Sequence, residues 1–151
     1  MRVAPELLRL FRLEEAGPNK VVSLPQAIRQ HIRPGMAIQF MKEAGAALQE
    51  ITRQFWGTQP RFTFISYSAN YHAIPPIYSG LVSKVITTNC SNLYPSPAPI
   101  GVIQRLYREN RIEIENWSFY TLQQRLLAAA QGVGFLPTKS LLGSSMAEEN
   151  K

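Results

Sequence analysis

Short apolar runs alternate with amphipathic stretches from residue 21 onward. Ser23 is a typical helix N-cap and Pro25 fits a first turn, so a helix is predicted from there to Pro34-Gly35. The almost wholly apolar run 36–41 predicts a strand buried on both faces. A second helix then carries apolar side chains at helical spacing up to Phe55, and Gly57 fits its C-terminal cap.

Three further strands are predicted at 61–67, 82–89 and 111–117, the last as a half-buried or edge strand because charged and apolar residues alternate in it. Between them, 70–79 predicts a short helix or loop interrupted by Pro75-Pro76. A proline-rich loop at 95–99 precedes the next helix, and the last clear helix ends at Gly132. Strands that alternate with helices predict an α/β fold, with an open, mainly parallel sheet and helices on both faces.

The chain has 151 residues, enough for one domain or a piece of one. We expect an N-terminal helix and turn over residues 1–20, the α/β domain over 21–145 and a polar tail over 146–151. No segment approaches the ~20 apolar residues needed to cross a bilayer. The N-terminus lacks the separate charged and apolar zones of a signal peptide, so we expect a cytoplasmic protein without membrane partners.

The formal net charge is +6, which raises the question of nucleic-acid binding. The sixteen Lys and Arg residues are dispersed along the sequence and no nucleic-acid motif is present. We therefore keep a basic nucleic-acid-binding domain only as a third hypothesis. A basic surface is equally compatible with a phosphorylated small molecule.

Amides and hydroxyls are frequent where the predicted strands end, at 40–43, 67–70, 88–91 and 116–120. Ligands of open parallel sheets bind beyond the carboxyl ends of the strands, and polar groups there can orient a carbonyl or a carboxylate. For any single residue the favoured interpretation is a turn or cap, because Asn and Ser side chains bond local backbone. The residues concerned are Ser66, Ser68, Asn70, Asn89, Ser91, Asn92, Asn116 and Ser118.

Several stretches, in order from about Leu24 to Ser145, resemble the A subunits of family I CoA transferases of the glutaconate CoA-transferase type. They are Arg33-Pro34-Gly35-Met36, the segment 48–56, the segment 80–86, Glu115-Asn116-Trp117-Ser118 and, most specifically, Gly132-Val133-Gly134-Phe135-Leu136-Pro137-Thr138, continuing to Ser140-Leu141-Leu142-Gly143-Ser144.

The resemblance implies transfer of CoA between an acyl-CoA thioester and a free carboxylate, with CoA as a substrate and no cofactor. In that family a glutamate attacks the thioester. The nucleophile belongs to a separate B-type half, so the resemblance implies a partner subunit and no catalytic residue in this chain. The candidate residues for a substrate or CoA pocket are Ser66, Ser68, Asn70, Asn89, Asn116, Ser118 and Thr138.

The chain departs from the family pattern in two ways. Family members carry a glycine-rich loop after the first strand that contributes to the oxyanion environment; here the stretch from Met41 to Gly45 contains a single glycine, so Lys42 and Gly45 mark a degenerate oxyanion-loop position. Family A subunits are also longer, so we expect a truncated, split or degenerate version whose sheet is incomplete. A non-catalytic binding or assembly module on the same scaffold is the second hypothesis.

The remaining reactive residues carry weaker expectations. His72 is a possible base in a strand-end loop, and Cys90 is favoured as a small buried hydrophobe over a reactive thiol. Lys84 and Lys139 are candidates for a CoA phosphate, although solvated lysines are more common. Glu113 and Glu115 are favoured as a solvated strand face. Two His and one Cys without ligand spacing predict no metal site.

Overall fold

Four parallel strands form the central sheet of the computed structural model, which describes residues 20–41, 44–92 and 98–150. The strands are β1 (Ala37–Gln39), β2 (Phe62–Ser66), β3 (Val82–Thr87), β4 (Ser91–Asn92), β5 (Ala98–Pro99) and β6 (Glu113–Asn116). The parallel sheet has the order β1-β2-β3-β6, and β4 and β5 form a separate antiparallel pair. The predicted α/β class with a mainly parallel sheet is confirmed, and β6 lies at a sheet edge as its alternating sequence predicts.

The helices are α1 (Leu24–His31), α2 (Gly45–Phe55), α3 (Ile74–Tyr78), α4 (Gly101–Arg108), α5 (Phe119–Gln131) and α6 (Ser145–Glu149), with a 3-10 turn at Tyr71–Ala73. Helices α1 to α4 pack side by side. Because consecutive parallel strands are neighbours, right-handed crossovers put α2, α3 and α4 on the same face of the sheet. No helix within the described ranges has the length and apolarity to cross a membrane.

The core lies between this helix layer and the inward face of the sheet. Phe62, Phe64 and Val85 are almost completely buried there. Two edge-to-face aromatic pairs hold β2. The ring centroids of Phe40, which follows β1, and Phe64 lie 5.1 Å apart, and those of Phe55 of α2 and Phe62 lie 5.0 Å apart. These contacts fix β2, and with it the loop after Ser66, relative to α2.

The opposite face of the sheet carries an ion-pair network. Lys84 Nζ lies 2.8 Å from Glu113 Oε1 and 2.7 Å from Glu115 Oε2. Arg125 of α5 also bonds Glu115, so α5 reaches this second face and helices flank the sheet on both faces. The expectation of a solvated face holds for the Glu113 side chain, which is 64% exposed, but it is wrong for Glu115, which is 18% exposed.

One local expectation is wrong, and one lies outside the described residues. Pro75-Pro76 does not interrupt the helix at 70–79 but occupies the first turn of α3, where a missing N–H costs nothing. Ser23 is the N-cap of α1, as predicted, with an extended backbone, although it makes no side-chain capping bond. The N-terminal helix and turn expected over residues 1–20 lie outside the described residues except for Lys20. Gly132 has a φ of +67°, the left-handed cap predicted for the last clear helix.

Candidate functional site at the carboxyl edge of the sheet

The loops that follow β2 and β3 are tied together at the carboxyl edge of the sheet. Ala69 N donates to Asn89 O at 3.0 Å, and Ser68 Oγ donates to Asn89 Oδ1 at 2.9 Å. The Ser66 hydroxyl bonds the Ser68 carbonyl at 3.1 Å, and Ser66 itself is buried. Three of the predicted pocket residues (Ser66, Ser68 and Asn89) are therefore brought into one hydrogen-bonded cluster.

The Asn89 amide is the centre of this cluster and uses its full bonding capacity inside the protein. Its Oδ1 accepts hydrogen bonds from the hydroxyls of Ser68 and Ser91, the latter at 3.0 Å. Its Nδ2 donates to Tyr67 O at 3.3 Å and to Thr88 Oγ1 at 3.2 Å. An amide with two accepted and two donated bonds is saturated. Asn89 therefore shapes the edge and leaves no free polar atom for a ligand.

Asn70 and Ser118 cap helical turns at the same edge. Asn70 is buried, and its Oδ1 accepts a hydrogen bond from His72 N at 3.1 Å. Ser118 Oγ accepts from Thr121 N at 3.1 Å and so caps α5. Asn116 ends β6 in register with Thr87. For Asn70 and Ser118 the structure supports the turn-and-cap interpretation that the sequence favours for single residues.

Two aromatic rings extend the edge from β2 to α5. Tyr67 follows β2, Phe119 begins α5, and their rings stack with centroids 5.4 Å apart. Phe119 remains 61% exposed and so presents an apolar surface beside the polar cluster. Sequence reasoning missed this pair, because nothing in the local pattern links residues 67 and 119.

Thr138 lies in the loop after α5, apart from the Asn89 cluster. Its Oγ1 accepts from Ser140 N at 3.0 Å. It lines a cleft of about 410 Å³ together with Trp117 and Thr121, and a second cleft with Tyr120 and Lys139. No hydrogen bond among the described residues connects Thr138 to Asn89. The fold therefore places Thr138 near the start of α5, on the β6 side of the edge.

The degenerate oxyanion-loop position comprises Lys42 and Gly45. Gly45 is described by the structure, and Lys42 lies outside the described residues. Gly45 is the first residue of α2 and is buried against the imidazole of His72. A Cβ at position 45 would lie 2.7 Å from His72 Nδ1, closer than real Cβ contacts allow. The glycine is therefore required by the approach of His72, which brings the loops after β1 and β2 together.

Cys90 and the two lysines have defined environments. Burial raises the pKa of the Cys90 thiol to about 11, so the thiol is protonated near neutral pH and fits the predicted role of a small buried side chain. The Lys84 ammonium group forms ion pairs with Glu113 and Glu115. Lys139 lines the cleft beside Tyr120.

No cluster of metal-ligating side chains occurs in ranges 20–41, 44–92 and 98–150.

The arrangement offers a rigid edge with an aromatic surface. Hydroxyls and amides hold the loops in place. Phe119 begins α5 and Tyr71 directly follows Asn70, and both rings are exposed, that of Tyr71 to 56%. A surface of this kind suits a ligand with a polar carbonyl end and an apolar body, because apolar contact supplies affinity and few polar groups set orientation.

Neither a family model nor a curated protein matches the sequence. Among solved structures, the chain is similar to a variant of the decarboxylase AibA/AibB, with a TM-score of 0.71 and 20% identity over 85% of this chain and 50% of that chain. It is also similar to glutaconate coenzyme A-transferase from Acidaminococcus fermentans, with a TM-score of 0.71 and 24% identity over 86% of this chain and 41% of that chain. The chain thus spans half or less of these neighbours' lengths, and the fold it adopts is the CoA-transferase-like α/β fold that the sequence resemblance implies.

Proposed function

We propose that the chain is the A-type half of a CoA transferase that moves CoA between an acyl-CoA thioester and a free carboxylate. The observation that carries the proposal is the cross-linked carboxyl edge around Asn89, on a fold shared with a glutaconate coenzyme A-transferase. Ligands of open parallel sheets bind at such an edge. The protein would act in the cytoplasm with a B-type partner.

In the proposed reaction a glutamate carboxylate of the partner attacks the thioester carbonyl carbon and releases the CoA thiolate, giving an acyl anhydride. The thiolate then attacks the glutamyl carbonyl of the anhydride, which frees the first carboxylate and leaves a glutamyl-CoA thioester. The accepting carboxylate repeats these two steps in reverse order. Oxyanions form at each step, so the rigid edge of this chain would hold the reacting carbonyl in place while they develop.

The environments of four of this chain's glutamates fit a nucleophile that comes from elsewhere. Glu50 is bonded to Arg53 at 2.6 Å, and hydrogen bonds from Arg53 and then Gln54 lower its pKa to about 2. Glu115 is held by three donors on the second face of the sheet. Glu109 ends α4 and Glu113 begins β6, both at the opposite edge from Asn89. Glu50 and Glu115 are thus held by internal partners, and Glu109 and Glu113 lie at the far end of the strands.

The proposed pocket residues divide by role. Ser66, Asn70, Asn89 and Ser118 make internal bonds and would act as positioning residues. Phe119, with its exposed ring, would contact the apolar part of the substrate. Asn116 and Thr138 would meet the substrate from the β6 side. The degenerate loop at Lys42 and Gly45 would leave part of the oxyanion stabilisation to the partner.

The test is reconstitution with a B-type CoA-transferase subunit. The chain is mixed with candidate B subunits, the complex is isolated by size exclusion, and exchange between a labelled carboxylate and an acyl-CoA is measured. We expect exchange only in the mixture, and its loss when the partner's glutamate is changed to glutamine. Absence of exchange in a stable, well-folded complex would contradict the enzymatic proposal.

The saturated bonds of Asn89 also support the second hypothesis, a non-catalytic assembly module, because a fully bonded edge is a good scaffold. The two hypotheses differ in one measurement. An assembly module forms the complex without any rise in melting temperature on addition of CoA. A transferase half gives a complex whose melting temperature rises with CoA concentration.

A further inference from the structure

The edge of the sheet opposite Asn89 gathers arginines and exposed aromatic rings that are dispersed in the sequence. It lies where β2, β3 and β6 begin and α2, α3 and α4 end. Two adjoining clefts of about 430 and 420 Å³ open there and share Ser79 and Arg111 in their walls. We call this surface the arginine–aromatic edge; it consists of Trp56, Arg61, Tyr78, Arg105 and Arg111.

The arginines of this edge lack the partners that arginines at helix ends usually have. Arg33, at the end of α1, donates to the carbonyls of Arg29, Gln30 and Ile32. Within the described part of the chain, Arg61 and Arg105 make neither a side-chain hydrogen bond nor an ion pair. Arg111 has one distant contact, 3.8 Å from Glu109 Oε2. Capping of helix carbonyls therefore does not explain them. The guanidinium donors of Arg61 and Arg105 are free for an external acceptor, and Arg111 has only the one distant contact.

Arg61 also has an unusual backbone. Its φ is +52°, in the left-handed region. The other left-handed positions of this edge are Gly57, Gly80 and Asn110, which are residue types that tolerate the conformation. Arg61 keeps a side chain at a strained position, and that side chain has no internal partner. Strain of this kind is typical of functional sites, so the outlier points to a ligand for the guanidinium.

The rings at the same edge complete the pattern. Trp56 is 69% exposed and Tyr78 is 56% exposed, and both line the cleft that contains Arg105. Arginine guanidinium groups bind phosphates through paired N–H donors, and exposed aromatic rings stack on nucleobases. We propose that the arginine–aromatic edge binds a nucleotide, either free or within single-stranded nucleic acid, with its phosphate on the arginines and its base on Trp56 or Tyr78.

This inference does not depend on the proposed transferase function, because the edge lies at the other end of the strands from Asn89. The full chain is titrated with thymidine monophosphate, inorganic phosphate and a short oligothymidylate, and binding is followed by quenching of Trp fluorescence and by calorimetry. We expect the monophosphate to bind more tightly than inorganic phosphate, and the quenching to disappear in Trp56→Phe.

The decisive variant is Arg61→Gly combined with Arg111→Ala. Glycine at position 61 relieves the backbone strain, so the variant is expected to fold, which circular dichroism verifies. We expect its Kd for the monophosphate to rise about tenfold or more, because charge-assisted bonds to phosphate are lost. The control is Arg108→Ala, which removes one positive charge from α4 outside both clefts and should change the Kd less than about twofold.

The oligothymidylate identifies the source of the nucleotide. Much tighter binding than the monophosphate, with a steep loss of affinity as salt increases, assigns the edge to single-stranded nucleic acid. Equal binding assigns it to a free nucleotide. The proposal is overturned if the monophosphate does not bind, if inorganic phosphate binds as tightly, or if the double variant binds like the control.

Discussion

The rings of Tyr67 and Phe119 stack with centroids 5.4 Å apart and planes inclined by 16°. Tyr67 lies just beyond β2 and Phe119 begins the helix after β6, so the pair crosses the end of the intervening strand β3. Stacked aromatic pairs contribute about 0.5–1.5 kcal/mol beyond the burial of their area. The contact therefore helps to fix α5 relative to the carboxyl edge of the sheet.

Phe119→Ala tests this contact. We expect the free energy of unfolding to fall by about 0.5–1.5 kcal/mol, since the ring is stacked but more than half exposed. Urea denaturation measures the change. Tyr120→Ala is the matched control: Tyr120 is exposed to a similar degree and makes no ring contact within the described residues, so its removal should cost less than about 0.5 kcal/mol. Equal losses in the two variants would show that the stack contributes nothing.

A second prediction concerns the close approach of Gly45 to His72. Gly45→Ala places a methyl group 2.7 Å from His72 Nδ1, so the ring or the start of α2 must shift. We expect a loss of about 1–3 kcal/mol in the free energy of unfolding, as for overpacked cores. Gly101 occupies the same first position of α4 with nothing within 4 Å of a Cβ. Gly101→Ala should therefore be neutral or stabilise the protein by about 0.5–1 kcal/mol.

The cause of the Gly45→Ala loss is tested by a double-mutant cycle with His72→Ala. If the imidazole is the obstacle, the added methyl group at position 45 should cost almost nothing in the His72→Ala background. An unchanged cost in that background would place the obstacle in the backbone and contradict the interpretation.

Glu115 and Glu113 give a third, paired prediction. Burial opposes ionisation of Glu115, but hydrogen bonds from Lys84, Trp117 and Arg125 outweigh it and lower its pKa. A carboxyl group whose pKa is lowered by folding stabilises the folded state at pH values above its ordinary pKa. This contribution is lost as the pH falls through the pKa of the folded state. Glu115→Gln should cost about 1–3 kcal/mol at pH 7 and progressively less in acid.

Glu113→Gln is the control for that change. Its carboxylate bonds the same Lys84, but its side chain is 64% exposed, so the cost should stay below about 1 kcal/mol. Thermal unfolding of both variants between pH 7 and pH 3 separates them. A Glu115→Gln cost that does not decrease in acid would show that packing, not ionisation, explains the effect.

The buried thiol of Cys90 gives a prediction in alkaline solution. Its pKa is raised from 9.0 to about 11 by burial, so the unfolded chain loses this proton first as the pH rises. The stabilising contribution is complete below pH 9 and disappears as the pH approaches 11, a change of about 2–3 kcal/mol. Other groups also titrate there, so the measured quantity is the stability difference between the protein and Cys90→Ala. That difference should decrease between pH 8 and pH 10.5, and a constant difference would contradict a protonated buried thiol.

Much of the fold could be predicted because its signals are local. The apolar spacing of α2, the alternation in β6 and the glycine after α5 each lie within one element, and each gave the right type of structure. Contacts between distant residues could not be predicted. The sequence around Gly45 does not indicate its contact with His72, and the sequence around Tyr67 does not indicate its contact with Phe119. Both contacts depend on how the strands and helices are connected in the assembled sheet.

In the candidate site, too, the local features could be predicted and the contacts between distant residues could not. The abundance of amides and hydroxyls at strand ends was visible in the sequence, and the fold brings Ser66, Ser68 and Asn89 into one hydrogen-bonded cluster. Their roles were not visible, because saturation of the Asn89 amide depends on Tyr67, Thr88 and Ser91 together. The sequence also does not show that Arg61, Arg105 and Arg111 share one edge, because they are brought together only by folding.

Asn89→Ala tests whether the cross-linked edge matters for stability and for the proposed exchange. The change leaves the hydroxyls of Ser68 and Ser91 without their acceptor, so we expect a loss of about 1–3 kcal/mol in the free energy of unfolding. Asn92→Ala is the matched control. The Asn92 Oδ1 atom is buried without a hydrogen-bond partner among the described residues, so its removal should be neutral or stabilising. In the reconstituted mixture, at a temperature where both variants are folded, Asn89→Ala should lower kcat while Asn92→Ala leaves it unchanged. If Asn89→Ala unfolds more easily but exchanges CoA at the normal rate, the loops around Asn89 support the fold only, and the reacting carbonyl must be held elsewhere.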